Sequence, residues 1–216
     1  MPASKQLRIS EIFYSLQGET SRTGLPTVFV RLTGCPLRCT YCDTTHAFSG
    51  GKSMTLAAIL AEVATHHARY VTVTGGEPLA QKDCPVLLSA LCDAGYEVSL
   101  ETGGALDVSG VDVRVMKVLD IKAPASGEAE KNLWSNLAAL NAHDEIKFVL
   151  CDEADYMWAK QVLHERNLAG RCGVLFSPVS DRLSATTLAG WILRDNLPVR
   201  LQLQLHKLLW GNATGH

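Results

Sequence analysis

The chain has 216 residues and a formal net charge of −2, with 47% hydrophobic and 19% charged residues. That is ample apolar material for a buried core, and no run approaches the roughly 20 apolar residues of a membrane span. No basic block stands out, which argues against an electrostatically driven nucleic-acid surface. The first residues lead straight into strand-like sequence, so a cytoplasmic protein engaging neither nucleic acid nor membrane is expected.

In chain order, residues 9–16 and 27–33 read as strands, with β-branched and aromatic residues between turn signals. Residues 55–68 read as a helix: Leu56, Ile59, Leu60 and Val63 recur at helical spacing, and Thr55 is placed to cap it. A buried strand at 70–74 stops at Gly75-Gly76. A helix at 85–94 ends at Gly95, and a strand at 97–102 ends at Gly103-Gly104. The alternation continues with a strand at 111–121, a helix at 130–141, a strand at 145–150 and a helix at 153–167. A strand at 173–176, a helix at 183–194 and a final strand at 199–205 complete it.

There is no internal repeat or linker, so one domain over residues 1–216 is expected. Strand–helix alternation with near-continuous apolar strands implies a mainly parallel sheet covered by helices. The units are too few for a full eight-fold barrel, which takes about 250 residues. The expected fold is therefore α/β, a partial, compressed TIM-like βα barrel. Ligands of such folds gather at the C-terminal strand ends. There the sequence places Gly34-Cys35, Thr74-Gly75-Gly76-Glu77-Pro78, Glu101-Thr102-Gly103, Lys122, Ser177-Pro178 and His206.

Of seven cysteines, Cys84, Cys92, Cys151 and Cys172 sit scattered in apolar segments and read as small buried hydrophobes. Cys35, Cys39 and Cys42 instead form a C-x3-C-x2-C cluster, and three thiolates on one short loop suit a soft metal centre. Spacing alone leaves two readings open. Zinc would take His46 as a fourth ligand. An iron–sulfur cluster held by three cysteines would leave one iron open to the amino and carboxylate groups of a cofactor.

The cysteine loop, with Tyr41 before its third cysteine and Gly75-Gly76-Glu77-Pro78 on a later strand, resembles the radical S-adenosylmethionine superfamily. The resemblance implies that Cys35, Cys39 and Cys42 hold a 4Fe–4S cluster whose open iron binds S-adenosylmethionine. It places Tyr41 near the adenine and Gly76 near the amino group, glycine permitting close backbone approach.

Further stretches narrow the resemblance: Glu11-Ile12-Phe13-Tyr14-Ser15-Leu16-Gln17-Gly18-Glu19, Phe29-Val30-Arg31, Asp43-Thr44, Leu119-Asp120-Ile121-Lys122 and Leu205-His206-Lys207. Together they resemble the 7-carboxy-7-deazaguanine synthase family over nearly the whole chain. That implies conversion of 6-carboxy-5,6,7,8-tetrahydropterin to 7-carboxy-7-deazaguanine with loss of ammonia. S-adenosylmethionine is then used catalytically and Mg²⁺ assists.

The same resemblance assigns roles. Leu16, Gln17, Gly18, Glu19, Arg31, Thr74 and His206 would contact the pterin. Tyr41, Cys42, Asp43, Gly76, Asp120, Ile121, Lys122, Ser177, Pro178, Val179 and Ser180 would contact S-adenosylmethionine, and Thr44 would bind Mg²⁺. No side chain acts as a catalytic group, because the cofactor carries the radical. A reductant protein such as a flavodoxin, a homodimer, and a C-terminal tail closing over the substrate are also implied.

Each role has a structural rival. Arg31 could serve an ion pair, Thr44 could cap a turn, and Glu101 reads as a hydrogen-bonding strand residue. The pair His66-His67 reads as a solvated helix end. Two other functions compete with the whole reading: a glycyl-radical-activating enzyme, and a binding module stabilised by zinc.

Overall fold

The computed structural model describes residues 5–211, 213 and 215. It begins with two long strands, β1 (Gln6–Leu16) and β2 (Pro26–Leu32), which pair antiparallel. A short strand β3 (Lys52–Thr55) adds to the free side of β1, also antiparallel. From β2 onward every pairing is parallel. The strands are β4 (Tyr70–Gly75), β5 (Glu97–Thr102), β6 (Met116–Lys122), β7 (Glu145–Leu150), β8 (Gly173–Pro178) and β9 (Arg200–Leu201). They lie in the order β3-β1-β2-β4-β5-β6-β7-β8-β9, and the sheet does not close. This is the mainly parallel, partial TIM-like barrel that the alternation predicts.

Helices α1 (Leu56–Ala64), α2 (Cys84–Asp93), α3 (Glu153–Glu165) and α4 (Ala185–Arg194) fill four of the six crossovers between parallel neighbours. Three start where a side-chain oxygen accepts a free backbone N–H: Thr55 from Ala58, Asp152 from Asp155, Ser184 from Thr187. Such caps satisfy donors that a helix leaves unpaired. One apolar layer joins sheet and helices, with Val28, Val30, Leu32, Val71 and Val73 packed with Ile59, Val63, Leu87 and Leu91.

Three expected elements differ. No helix forms over 130–141, which holds two 3-10 turns, Ala129–Lys131 and Trp134–Ala139. Asparagine side chains take the backbone partners instead. Asn132 accepts from Lys122 N and donates to Lys122 O, and Asn136 donates to the carbonyls of Gly104 and Leu106. Such bonds compete with helix formation. The strand expected over 111–121 begins only at Met116, because Asp112 folds Arg114 and Val115 back into a turn. The strand expected over 199–205 keeps two residues, Arg200 and Leu201, and a helix α5 (Leu205–Trp210) begins where it was expected to end.

Candidate active site

The C-terminal ends of the parallel strands open into a cavity of about 400 Å³. Its rim is the cysteine loop after β2, held in shape by bonds within the protein. Gly34 N donates to Ala47 O, Glu77 N to Gly34 O at 2.7 Å, Arg38 N to Glu128 Oε1 at 2.6 Å, and Thr40 N to Ser126 O. Gly76 passes so close to this loop that a β-carbon on it would lie 2.4 Å from Gly34 O and 2.9 Å from Cys35 Cβ. Glu77 turns away from the cavity. Its buried carboxylate accepts from Leu79 N, Thr102 Oγ1 and Gly103 N, which clamps the end of β4 to that of β5.

Cys35, Cys39 and Cys42 are free thiols on the cavity wall. Burial pushes the thiols of Cys35 and Cys39 up, so the surrounding protein alone does not generate the thiolate that binds metal. Among the described residues the three sulfurs do not converge within 4.8 Å of one another, with or without His46. A tetrahedral zinc, with Zn–S of about 2.3 Å, requires closer sulfurs. A multi-iron cluster does not. His46 points elsewhere, its Nε2 3.5 Å from Glu11 Oε1. The three thiols fit an iron–sulfur cluster, and His46, the fourth ligand a zinc module would need, faces Glu11.

A chain of charges crosses the cavity floor. Lys122 Nζ lies 3.0 Å from Asp120 Oδ2, Lys147 Nζ lies 3.8 Å from Asp120 Oδ2 and 2.9 Å from Glu19 Oε2, and His206 Nδ1 lies 3.6 Å from Glu19 Oε1. From α5, Lys207 Nζ sits 3.3 Å from Asp43 Oδ2, while the Gln204 amide donates to both Glu19 and Asp43. Asp120 Oδ1 and Ser177 Oγ are buried without a hydrogen-bond partner among the described residues. Buried polar atoms ordinarily have partners, and a polar ligand in the cavity would supply one to Asp120, which lines it.

Burial alone would raise the Glu19 carboxyl. The charges of Lys147 and His206 outweigh it and hold the group at about 2 instead of 4.5. The folded value lies below the unfolded one, so this pairing stabilises the fold above about pH 4.5 and ceases to do so as pH falls toward 2. Glu19→Gln should therefore be less stable than the parent at neutral pH, with the gap narrowing on acidification. Urea unfolding at pH 7 and at about pH 3.5 checks this, and a gap independent of pH would exclude it.

Most residues picked from the sequence meet on this cavity. Leu16, Gln17, Gly18, Glu19, Arg31, Thr74 and His206 line it, as do Tyr41, Asp43, Thr44, Gly76, Asp120, Lys122 and Val179. Ile121, Ser177, Pro178 and Ser180 do not. Strand alternation turns Ile121 into the apolar core between Asp120 and Lys122, Ser177 and Pro178 are buried, and Ser180 is exposed. Thr44 makes no capping bond at the turn that follows, and its hydroxyl lies 3.8 Å from Cys42 Sγ. Glu101 behaves as read from the sequence, accepting from Thr74 Oγ1 and Gln17 Nε2, and it also borders the cavity. His66 stacks on Tyr14 at 5.8 Å. Of the tail, Gly211, Ala213 and Gly215 border the cavity, and Asn212, Thr214 and His216 lie outside the described residues.

The sequence reading missed Lys147, Glu11, Phe13, Phe29 and Gln204 on the wall. Lys147 had a signal, since a lysine inside the buried strand Glu145–Leu150 requires a partner.

Residues 29–120 match the Radical SAM superfamily. Along nearly its full length the chain is similar to 7-carboxy-7-deazaguanine synthase of Chlorobaculum tepidum, with 51% identity over 98% of this chain and 97% of the relative. The chain belongs to the 7-carboxy-7-deazaguanine synthase family. The relative of the same name from Koribacter versatilis is 42% identical over 96% of this chain and 99% of its own. Among solved structures, the crystal structure of QueE from Escherichia coli superposes with a TM-score of 0.77 at 26% identity, covering 92% of this chain and 94% of that one. Membership of this family and the geometry of the thiols agree on the class of chemistry.

Proposed function

We propose that the protein is a radical S-adenosylmethionine enzyme that converts 6-carboxy-5,6,7,8-tetrahydropterin to 7-carboxy-7-deazaguanine with loss of ammonia, a step in queuosine and deazapurine biosynthesis. One observation carries this reading. A single cavity brings together three unpaired thiols, the Gly76 turn, Thr44, and a polar end built from Gln17, Glu19, Arg31 and Thr74.

Cys35, Cys39 and Cys42 would hold the 4Fe–4S cluster. Tyr41, Asp43, Gly76 and the segments Asp120-Ile121-Lys122 and Ser177-Pro178-Val179-Ser180 would hold S-adenosylmethionine, Ile121 and the buried β8 residues through backbone. When bound, these groups supply the electron and the hydrogen abstraction, and Mg²⁺ offsets the charge of the substrate carboxylate.

The chain itself binds and orients. Thr44 offers Mg²⁺ a hard oxygen, the kind of ligand that ion prefers. Lys147 keeps Glu19 ionised, ready to accept hydrogen bonds from ring and amino N–H groups of a pterin. Tyr41 donates to Val149 O at 3.3 Å and packs with Val149, Cys151 and Val179. That apolar wall keeps water from the reacting centre.

The test is turnover of the carboxylated tetrahydropterin by anaerobically reconstituted protein with dithionite and S-adenosylmethionine. Product should form, and Mg²⁺ should stimulate it. Thr44→Val should lose most of the stimulation while keeping its iron. Absence of product, or a Thr44→Val enzyme with undiminished Mg²⁺ response, would count against the reading.

We also place residues 1–216 in one domain, supported by the apolar layer shared by strands β1 to β8 and the helices. Among the described residues no helix is long and apolar enough to cross a membrane. A cytoplasmic homodimer served by a flavodoxin-like reductant is proposed from family resemblance.

A further inference from the structure

An irregularity in β1 shapes one wall of the cavity. The register runs Ile9↔Leu32 and then Glu11↔Arg31, which makes Ser10 an extra residue on β1. Before it, Leu7 and Ile9 point into the apolar core. After it, Ile12 packs against that core, while Glu11 and Phe13 line the cavity. A one-residue bulge exchanges the faces that alternate side chains occupy, and bulges recur where a side chain must be re-aimed beside a site. Without Ser10 in this place, Glu11 would not stand across from Arg31 on the cavity side.

The contact it creates is specific. Arg31 Nε donates to Glu11 Oε1 at 2.7 Å. The guanidinium carbon lies 5.5 Å from the centre of the Phe13 ring, which stacks on Phe29 at 5.0 Å with 9° between the planes. Among the described residues, neither Nη atom of Arg31 has a hydrogen bond or a second ion pair. One nitrogen is thus fixed, one face is seated on an aromatic ring, and the Nη1–Nη2 edge is free. That edge is the planar fork that matches a carboxylate.

We propose that Glu11 is a positioning residue, holding Arg31 so that its free Nη1–Nη2 edge meets the carboxylate of the pterin substrate. The inference rests on the substrate reading given above. Glu11's own charge repels a bound carboxylate, so its benefit lies in geometry. Removing the acceptor must then weaken binding even though it relieves repulsion.

The test is anaerobic calorimetric titration of the reconstituted holoenzyme with two oxidised, non-reacting ligands, 6-carboxypterin and pterin. Wild type should prefer 6-carboxypterin. Glu11→Ala should lose about tenfold in affinity for 6-carboxypterin, in the range of one charge-assisted hydrogen bond, with pterin affinity unchanged. Glu11→Gln keeps an acceptor for Nε and should restore most of the preference. Glu11→Ala combined with Arg31→Met should bind no worse than Arg31→Met alone. Should Glu11→Ala fail to fold, Glu11→Asp withdraws the acceptor while keeping the charge, and the same selective loss is expected. Equal loss toward both ligands, an undiminished preference, or tighter 6-carboxypterin binding by Glu11→Ala would overturn the inference and leave the substrate reading standing. A wild type without preference would remove the substrate reading and this inference with it.

Discussion

Cys39→Ala is expected to abolish turnover and to leave reconstituted protein with little iron and little of the visible absorption of an iron–sulfur centre. Among the described residues Cys39 is one of three cysteines on the cavity, and a cluster held by three thiolates cannot spare one. The loop should survive the change, because the bonds that shape it run through Gly34, Arg38, Thr40 and Glu77 backbone groups and not through the thiol. Unfolding of the metal-free variant should therefore match the metal-free parent to within about 0.5 kcal/mol. Cys92→Ala, on α2 and away from the cavity, is the control and should load iron normally. Full iron content in Cys39→Ala would remove the cluster from this loop.

Gly76→Ala is the second large effect. Its new β-carbon would lie 2.4 Å from Gly34 O, a backbone atom that is itself held by Glu77 N. Neither side can yield without moving the cysteine loop or the end of β4, and forced overpacking of this kind costs typically about 1–3 kcal/mol. The displacement falls on Gly34 and on Cys35, whose Cβ is the nearest side-chain atom in the way at 2.9 Å. Weaker S-adenosylmethionine binding and a less stable cluster should therefore appear together, beside a lowered Tm. Calorimetry and cofactor titration on reconstituted protein measure both. A variant that loses stability but binds cofactor normally would show that the close approach serves packing alone.

Much of this was legible in the sequence because it follows from local rules. Apolar runs closed by glycine gave the parallel strands, Thr55 capped its helix as its position suggests, and cysteine spacing marked the loop. What escaped depends on partners distant in the chain. Asn132 and Asn136 unmake a helix by bonding to Lys122 at the end of β6 and to the loop after β5, which no local window reveals. β3 is a strand because β1 lies beside it, not because residues 52–55 prefer extension. In the site, single residues with a motif around them were found. Glu11, Phe13 and Phe29 stood in the stretches that carry the resemblance yet were given no role, since their place on the cavity wall depends on where one strand gains a residue on its neighbour.

The way the cysteine loop is held has a consequence for how the enzyme is assembled and repaired. Its turns are fixed to Glu77 just past β4, to Ala47 ahead of β3 and to Ser126 and Glu128 in the loop after β6 by protein groups alone. A zinc finger, by contrast, gains its fold from the metal. Here the polypeptide can finish folding first and receive its iron afterwards. Damage by oxygen would then strip the cluster without destroying the scaffold, and the same molecule could be refilled in place.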